Sequence, residues 1–146
     1  VKGGLVEVEF AELGSLPALR SIFKIPQDPE GTTYLGSYTL PFRNCSYVIK
    51  LQAVEAENPG GRDGSLAGML LMQNVIRKRG QEFEGWLSDP YDTDFKGGTL
   101  MNKGEEAQYD AEFPTHPLSL VRKHLAEIAA KITFSDAMHK LKPFEN

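Results

Sequence analysis

Thr33-Tyr-Leu-Gly-Ser-Tyr-Thr-Leu-Pro-Phe-Arg-Asn-Cys-Ser-Tyr-Val-Ile-Lys-Leu-Gln-Ala-Val54 reads as two strands joined by a turn, and that reading decides the fold. Over Thr33 to Phe42 the residues Tyr34, Tyr38, Leu40 and Phe42 fall on one face of an extended chain, in which side chains alternate with a period of two. Pro41 is tolerated at a strand end, where its missing amide breaks no ladder bond. After a turn at Arg43-Asn44, Ser46 to Val54 alternates Tyr47, Ile49 and Leu51 with Val48, Lys50 and Gln52. Both faces of that run carry β-branched or aromatic residues, which predicts a strand inside a sheet.

Toward the N-terminus the same alternation continues. Leu5-Val-Glu-Val-Glu-Phe10 places Val6, Val8 and Phe10 on one side and Glu7 and Glu9 on the other. Ala18 to Ile25 groups Leu19, Phe23 and Ile25 against Arg20 and Lys24, and Pro26-Gln-Asp-Pro-Glu-Gly31 supplies the turn to the next strand. Toward the C-terminus, Asn58-Pro-Gly-Gly-Arg-Asp-Gly64 interrupts the strand pattern. Ser65 to Arg79 then shows helical spacing, with Leu66, Met69, Leu70, Gln73 and Ile76 on one stripe expected to lie across the sheet. Arg77, Lys78 and Arg79 suit the last turn of that helix and Gly80 its C-terminal cap. Glu82 to Ser88 reads as a further strand and Gly104 to Phe113 as a short acidic helix. From Pro117 the residues Leu118, Val121, Leu125, Ile128 and Ile132 follow at helical steps, and Phe134, Met138 and Leu141 mark a last turn before Pro143. The expected fold class is α+β: an antiparallel meander of four or more strands packed against two main helices, with residues 1–146 forming one domain.

Hydrophobic residues make up 40% and charged residues 25% of the 146 residues, an ordinary globular balance with enough chain to bury a core. The net charge of −4 is unevenly spread: residues 81–114 hold nine Asp/Glu against two Lys/Arg. That distribution argues against a nucleic-acid backbone as partner, which requires a basic stripe, and leaves a cationic partner as one use of the segment. No apolar run is long enough to span a membrane, and no signal-peptide core is visible. The single cysteine, Cys45, excludes an internal disulfide and fits a reducing compartment, so the expectation is a soluble cytoplasmic protein with Cys45 as a buried or half-buried structural thiol.

The stretch richest in chemistry is acidic and aromatic: Trp86, Asp89, Tyr91, Asp92, Asp94 and Phe95, with Tyr109, Asp110, Phe113 and His116 beyond it. As a calcium loop it fails, because Lys96 and Lys103 occupy positions that need oxygen ligands. One reading makes Asp89 and Asp92 turn formers with the aromatic rings pinning the loop to the body. The other makes the segment a contact surface. Gly60-Gly-Arg-Asp-Gly64 precedes a helix and offers amides to an anion, but it lacks the phosphate-loop and dinucleotide-binding spacings. His116, between Pro114 and Pro117, is either a helix-start residue or, with Asp110, an acid–base pair. His116 and His124 are eight residues apart, too far for the i, i+4 metal pair, and no nucleophile motif or cofactor fingerprint is present.

Leu13-Gly-Ser-Leu-Pro-Ala-Leu-Arg20, followed by strands, by Tyr47-Val-Ile-Lys-Leu51 and by a helix, resembles small bacterial proteins similar in fold to the photosystem extrinsic subunit PsbP. The likeness spans residues 5–80. It implies an antiparallel sheet flanked by helices and relatives that act mostly by binding other molecules, and it transfers no catalytic residue. Three functions are therefore weighed. The first is a non-enzymatic interaction protein using residues 86–116, with Trp86, Asp89, Tyr91, Asp92, Asp94 and His116 as the binding set. The second is a small-molecule binder with an apolar cavity lined by Tyr34, Tyr38, Phe42, Met69 and Met72. The third is a hydrolase or isomerase using His116. No metal or other cofactor is expected, and a homodimer is compatible with strands that are apolar on both faces.

Overall fold

The computed structural model describes residues 2–145. Four long strands come first: β1 (Gly4–Leu13), β2 (Leu16–Pro26), β3 (Thr32–Pro41) and β4 (Ser46–Val54). They pair in chain order as an antiparallel meander, so the α+β sheet read from the sequence is what the chain forms. Helix α1 (Gly61–Met72) follows, then the small hairpin β5 (Arg77–Arg79) and β6 (Glu82–Glu84). Strands β7 (Leu87–Ser88) and β8 (Met101–Asn102) close a loop between them, and two 3-10 turns span Lys103–Glu105 and Ala107–Glu112. Helix α2 (Pro117–Lys131) and a single turn, α3 (Asp136–His139), complete the fold.

Helix α2 is the element that covers the sheet. Its residues Leu118, Val121 and Leu125 recur at three- and four-residue steps and are fully buried, against Tyr34, Tyr38, Leu40 and Ile22. Burying three such side chains contributes about 2 kcal/mol each. Gly36 in β3 lets the helix approach: a Cβ there would stand 2.6 Å from Val121 and 2.9 Å from Leu125. Tyr38 donates its hydroxyl hydrogen to the Leu125 carbonyl at 3.0 Å, so the ring fills the core and its polar tip is satisfied.

Several expectations are corrected. Strand β4 is an edge strand, not an interior one. In β1 a bulge between Leu5 and Glu7 adds a residue, so Val6 is buried while Val8 and Phe10 turn to the other face. A one-residue register change swaps every later side chain across the sheet. In β2 the inward row is Ala18, Arg20, Ile22 and Lys24, and Leu19 and Phe23 are exposed. The charged row can face inward because Arg20 meets Glu7 and Lys24 meets Glu105, and paired charges tolerate burial that lone ones do not.

The helix expected over Ser65–Arg79 begins and ends earlier. Asn74 adopts a left-handed conformation (φ 58°), its amide donates to Leu71 and that of Val75 to Leu70, a motif that closes the last turn of α1. Arg77-Lys-Arg79 then pairs in β5–β6 opposite Glu84 and Glu82, and Gly80 serves the hairpin turn. Arg62, Leu66 and Leu70 form the buried stripe of α1. That stripe packs on the turn at Lys103–Glu105, not across the sheet, and Leu66 and the Trp86 ring close on Gly104. Cys45, in the turn before β4, is exposed. No helix among the described residues is long and apolar enough to cross a membrane.

Candidate functional site

The acidic–aromatic segment runs as a strap from β7 to β8 along the free edge of β1. Asp89 Oδ1 accepts from the amides of Tyr91 and Asp92, both at 2.9 Å, and Asp92 Oδ1 accepts from Asp94 at 3.1 Å. These are local turns of the kind Asp favours. The Tyr91 hydroxyl accepts the Val8 amide at 2.8 Å, satisfying a donor on the edge of the sheet, and the Thr99 carbonyl crosses over Gly4, where a Cβ would collide with it. Trp86 is half-buried. The strap is thus anchored at both ends while its tip stays open: Tyr91 and Phe95 are 58% and 48% exposed, and Leu87, Asp92 and Asp94 are exposed beside them. The acids build turns, as one reading of the segment has it, while the Tyr91 and Phe95 rings stay exposed.

His116 is placed elsewhere. It precedes α2 as its cap, with Nδ1 accepting the Leu118 amide at 3.2 Å. The ring proton therefore sits on Nε2, which faces Glu55 Oε1 at 3.3 Å; the same oxygen accepts the Gly60 amide at 3.0 Å. Burial and then the Arg62 charge lower the His116 pKa, against the opposing pull of Glu55. Both ring nitrogens thus have partners within the protein. The pair expected with Asp110 does not form. Asp110 Oδ1 instead accepts from Arg62 at 2.9 Å, Arg122 at 2.8 Å and Ser119 at 3.2 Å. Glu55, the true partner, follows β4 without any motif to announce it.

Arg62 does point inward, but not toward an anion site. Its Nε donates to the Gly104 carbonyl and its two terminal nitrogens to Ser119, Glu106 and Asp110, so its donors are spent on the fold. Beside it a cleft of about 610 Å³ opens between the end of β4, the start of α1 and residues 112–117, with Val54, Ser65, Phe113 and His116 on its walls and Glu57 and Glu112 at its mouth. It is not the cavity expected from the sequence: Tyr34, Tyr38 and Phe42 are packed in the core, and Met72 is exposed.

Between the sheet and the 3-10 turns lies a buried layer of charge that the sequence did not reveal. Glu7 bridges Arg20 at 2.7 Å and Arg122 Nε at 2.6 Å, and Arg122 continues to Asp110. Burial pushes the Glu7 carboxyl up, but the hydrogen bonds and charges of the two arginines outweigh it and leave the pKa below the usual range. A second group joins Lys24, Glu105, Asn102 and Asp63. Glu105 is fully buried, pairs with Lys24 and accepts the Asn102 amide at 3.0 Å, and Asn102 donates its side-chain amide to Asp63 at 3.0 Å. Asp63 Oδ1, Asn102 Oδ1 and Glu105 Oε2 have no hydrogen-bond partner among the described residues. Desolvation and the nearby Glu105 charge push Asp63 up to about 6. Among the described residues no three His, Cys, Asp or Glu side chains are grouped to hold a metal ion.

Fold and site together define an α+β domain whose polar interior is knitted by ion pairs and whose acidic–aromatic strap lies along one sheet edge. Compared with protein-family models, with curated proteins and with solved structures, the chain finds no match.

Proposed function

We propose that the protein is a non-enzymatic interaction module whose contact surface is the strap and its leading strand, Trp86 to Phe95, and whose partner is a basic protein segment. The observation that carries this reading is the exposure of Tyr91, Phe95 and Leu87 beside Asp92 and Asp94 on a loop anchored at both ends. Rigid aromatic rings bury large area at small entropic cost, and clustered acids speed encounter with a cationic partner. The PsbP-like resemblance of residues 5–80 points to binding as well. Trp86, the only tryptophan, reports directly on the strap. Titration with Lys/Arg-rich peptides carrying an aromatic residue is expected to change its emission with a strong salt dependence. Asp92→Asn with Asp94→Asn should weaken that binding about 3- to 10-fold, mainly in the association rate, and leave Tm unchanged, since rim charges act on encounter. Unaltered affinity in the double variant removes the strap from consideration.

A second reading rests on the cleft beside His116, whose volume lies within the usual range for small ligands. Its acidic mouth suits a cationic molecule with an apolar body. A screen of amines by thermal shift tests it, with a rise in Tm abolished by Glu57→Gln and Glu112→Gln as the supporting result.

A further inference from the structure

The sheet has two faces, and only one is covered by α2. The bulge in β1 and the inward charges of β2 turn an apolar surface to the other side. Cross-strand register sets it out in rows: Phe10, Leu19, Thr39 and Val48; Val8, Ser21, Ser37 and Lys50; Leu5, Phe23, Leu35 and Gln52; then Ile25, Thr33 and Val54. Phe10 is 94% exposed and Phe23 44%, and Val48 and Val54 are also open. Antiparallel sheets with one solvated face ordinarily present polar residues there. Here the rows hold mainly aliphatic and aromatic side chains with small hydroxyls between them, and their one charge is Lys50. Glu12, next along the same face of β1, stands at the opposite edge.

We propose that this face is the interface of a homodimer, in which two copies pack sheet on sheet about a twofold axis. Three observations favour a second copy over another occupant. An isologous contact must be self-complementary, and a face of apolar residues, serines and threonines opposes itself without like charges meeting. Its two charged residues lie at opposite edges, so a twofold that lays β1 over the partner's β4 brings unlike charges to the same side. The size also suits: four strands about 4.8 Å apart, each presenting about 27 Å of length, make a plate of about 500 Å² before side-chain relief is counted, which approaches the roughly 800 Å² per partner of a stable interface. Aligned sheets of this kind interdigitate their side chains at about 10 Å separation.

The inference is independent of the strap, which lies along the edge of the sheet, and its test reads mass rather than ligand binding. In sedimentation velocity between about 1 and 100 μM, the wild-type chain is expected to sediment as a species of twice its mass, dissociating reversibly on dilution. Each substitution in a twofold interface acts twice, so Phe10→Glu with Phe23→Glu should raise the dimer dissociation constant at least 100-fold. Both side chains are exposed in one copy, so circular dichroism should show a folded monomer. Val48→Glu, on the opposite edge, should weaken the dimer independently, whereas Met72→Glu, exposed on α1, should not. A wild-type monomer at 100 μM overturns the proposal. So does a dimer that persists unchanged in Phe10→Glu/Phe23→Glu, which would place the contact on another surface.

Discussion

At His116 the two ring nitrogens define a structural role. One accepts the Leu118 amide and the other faces Glu55, so the ring is a helix cap tied to the end of β4. Loss of a side-chain cap costs about 1 kcal/mol, and here Glu55 also loses its partner. His116→Ala is expected to lower stability by about 1–2 kcal/mol in urea denaturation, and His116→Asn, which keeps a capping acceptor, should recover about half of that. An alanine variant as stable as wild type would show that the cap contributes nothing. The sequence held both readings of His116 open because Asp110, close to it in the chain, is bonded in space to Arg62, Arg122 and Ser119. Glu55 lies 61 positions away.

At the scale of elements, the contact between β3 and α2 organises the core. Gly36 is a position of close approach to the helix, and an added methyl group there would press on Val121 and Leu125, neither of which has room to yield in a packed interior. Gly36→Ala is therefore expected to cost about 1–3 kcal/mol, read as a lower denaturation midpoint at unchanged slope. An equal midpoint would mean that α2 can shift along the sheet. Elements whose signals are local were legible from sequence: the alternation of β3, the stripe of α2 and its proline start all appear where their residues predict. Those whose signals depend on partners were not. The basic run Arg77-Lys-Arg79 suits a helix end until Glu82 and Glu84 are seen across a hairpin, and Asn74 gives no sign in sequence that it will take the left-handed position usually held by glycine.

At the scale of the whole molecule, the buried charges give folding a pH dependence whose sign depends on the group. Asp63 titrates near 6 when folded against 3.8 when unfolded, so between about pH 4 and 6 the folded state holds a proton that the unfolded state has released. Its contribution therefore favours folding at acid pH and is lost as pH rises through 6. Asp63→Asn keeps an acceptor for Asn102 and removes the titration. It should be more stable than wild type by about 1–3 kcal/mol at pH 7.5, with the advantage vanishing near pH 4. A difference in Tm that stays constant across that range would show that Asp63 is ionised throughout. Glu7 acts with the opposite sign: its folded pKa lies below the ordinary value, so its ion pairs favour folding at neutral pH and are lost as pH falls through that lowered value. What the sequence determined by itself was the class of fold, its antiparallel meander, the helix α2 and the location of the acidic–aromatic segment, because alternation, helical spacing and turn residues act over a few positions. The tertiary structure alone decided which face of each strand is inside, through one bulge and through the partners that allow Arg20 and Lys24 to be buried. It also decided that His116 caps a helix and that one face of the sheet is left bare, since each depends on groups far apart in the chain and close in space.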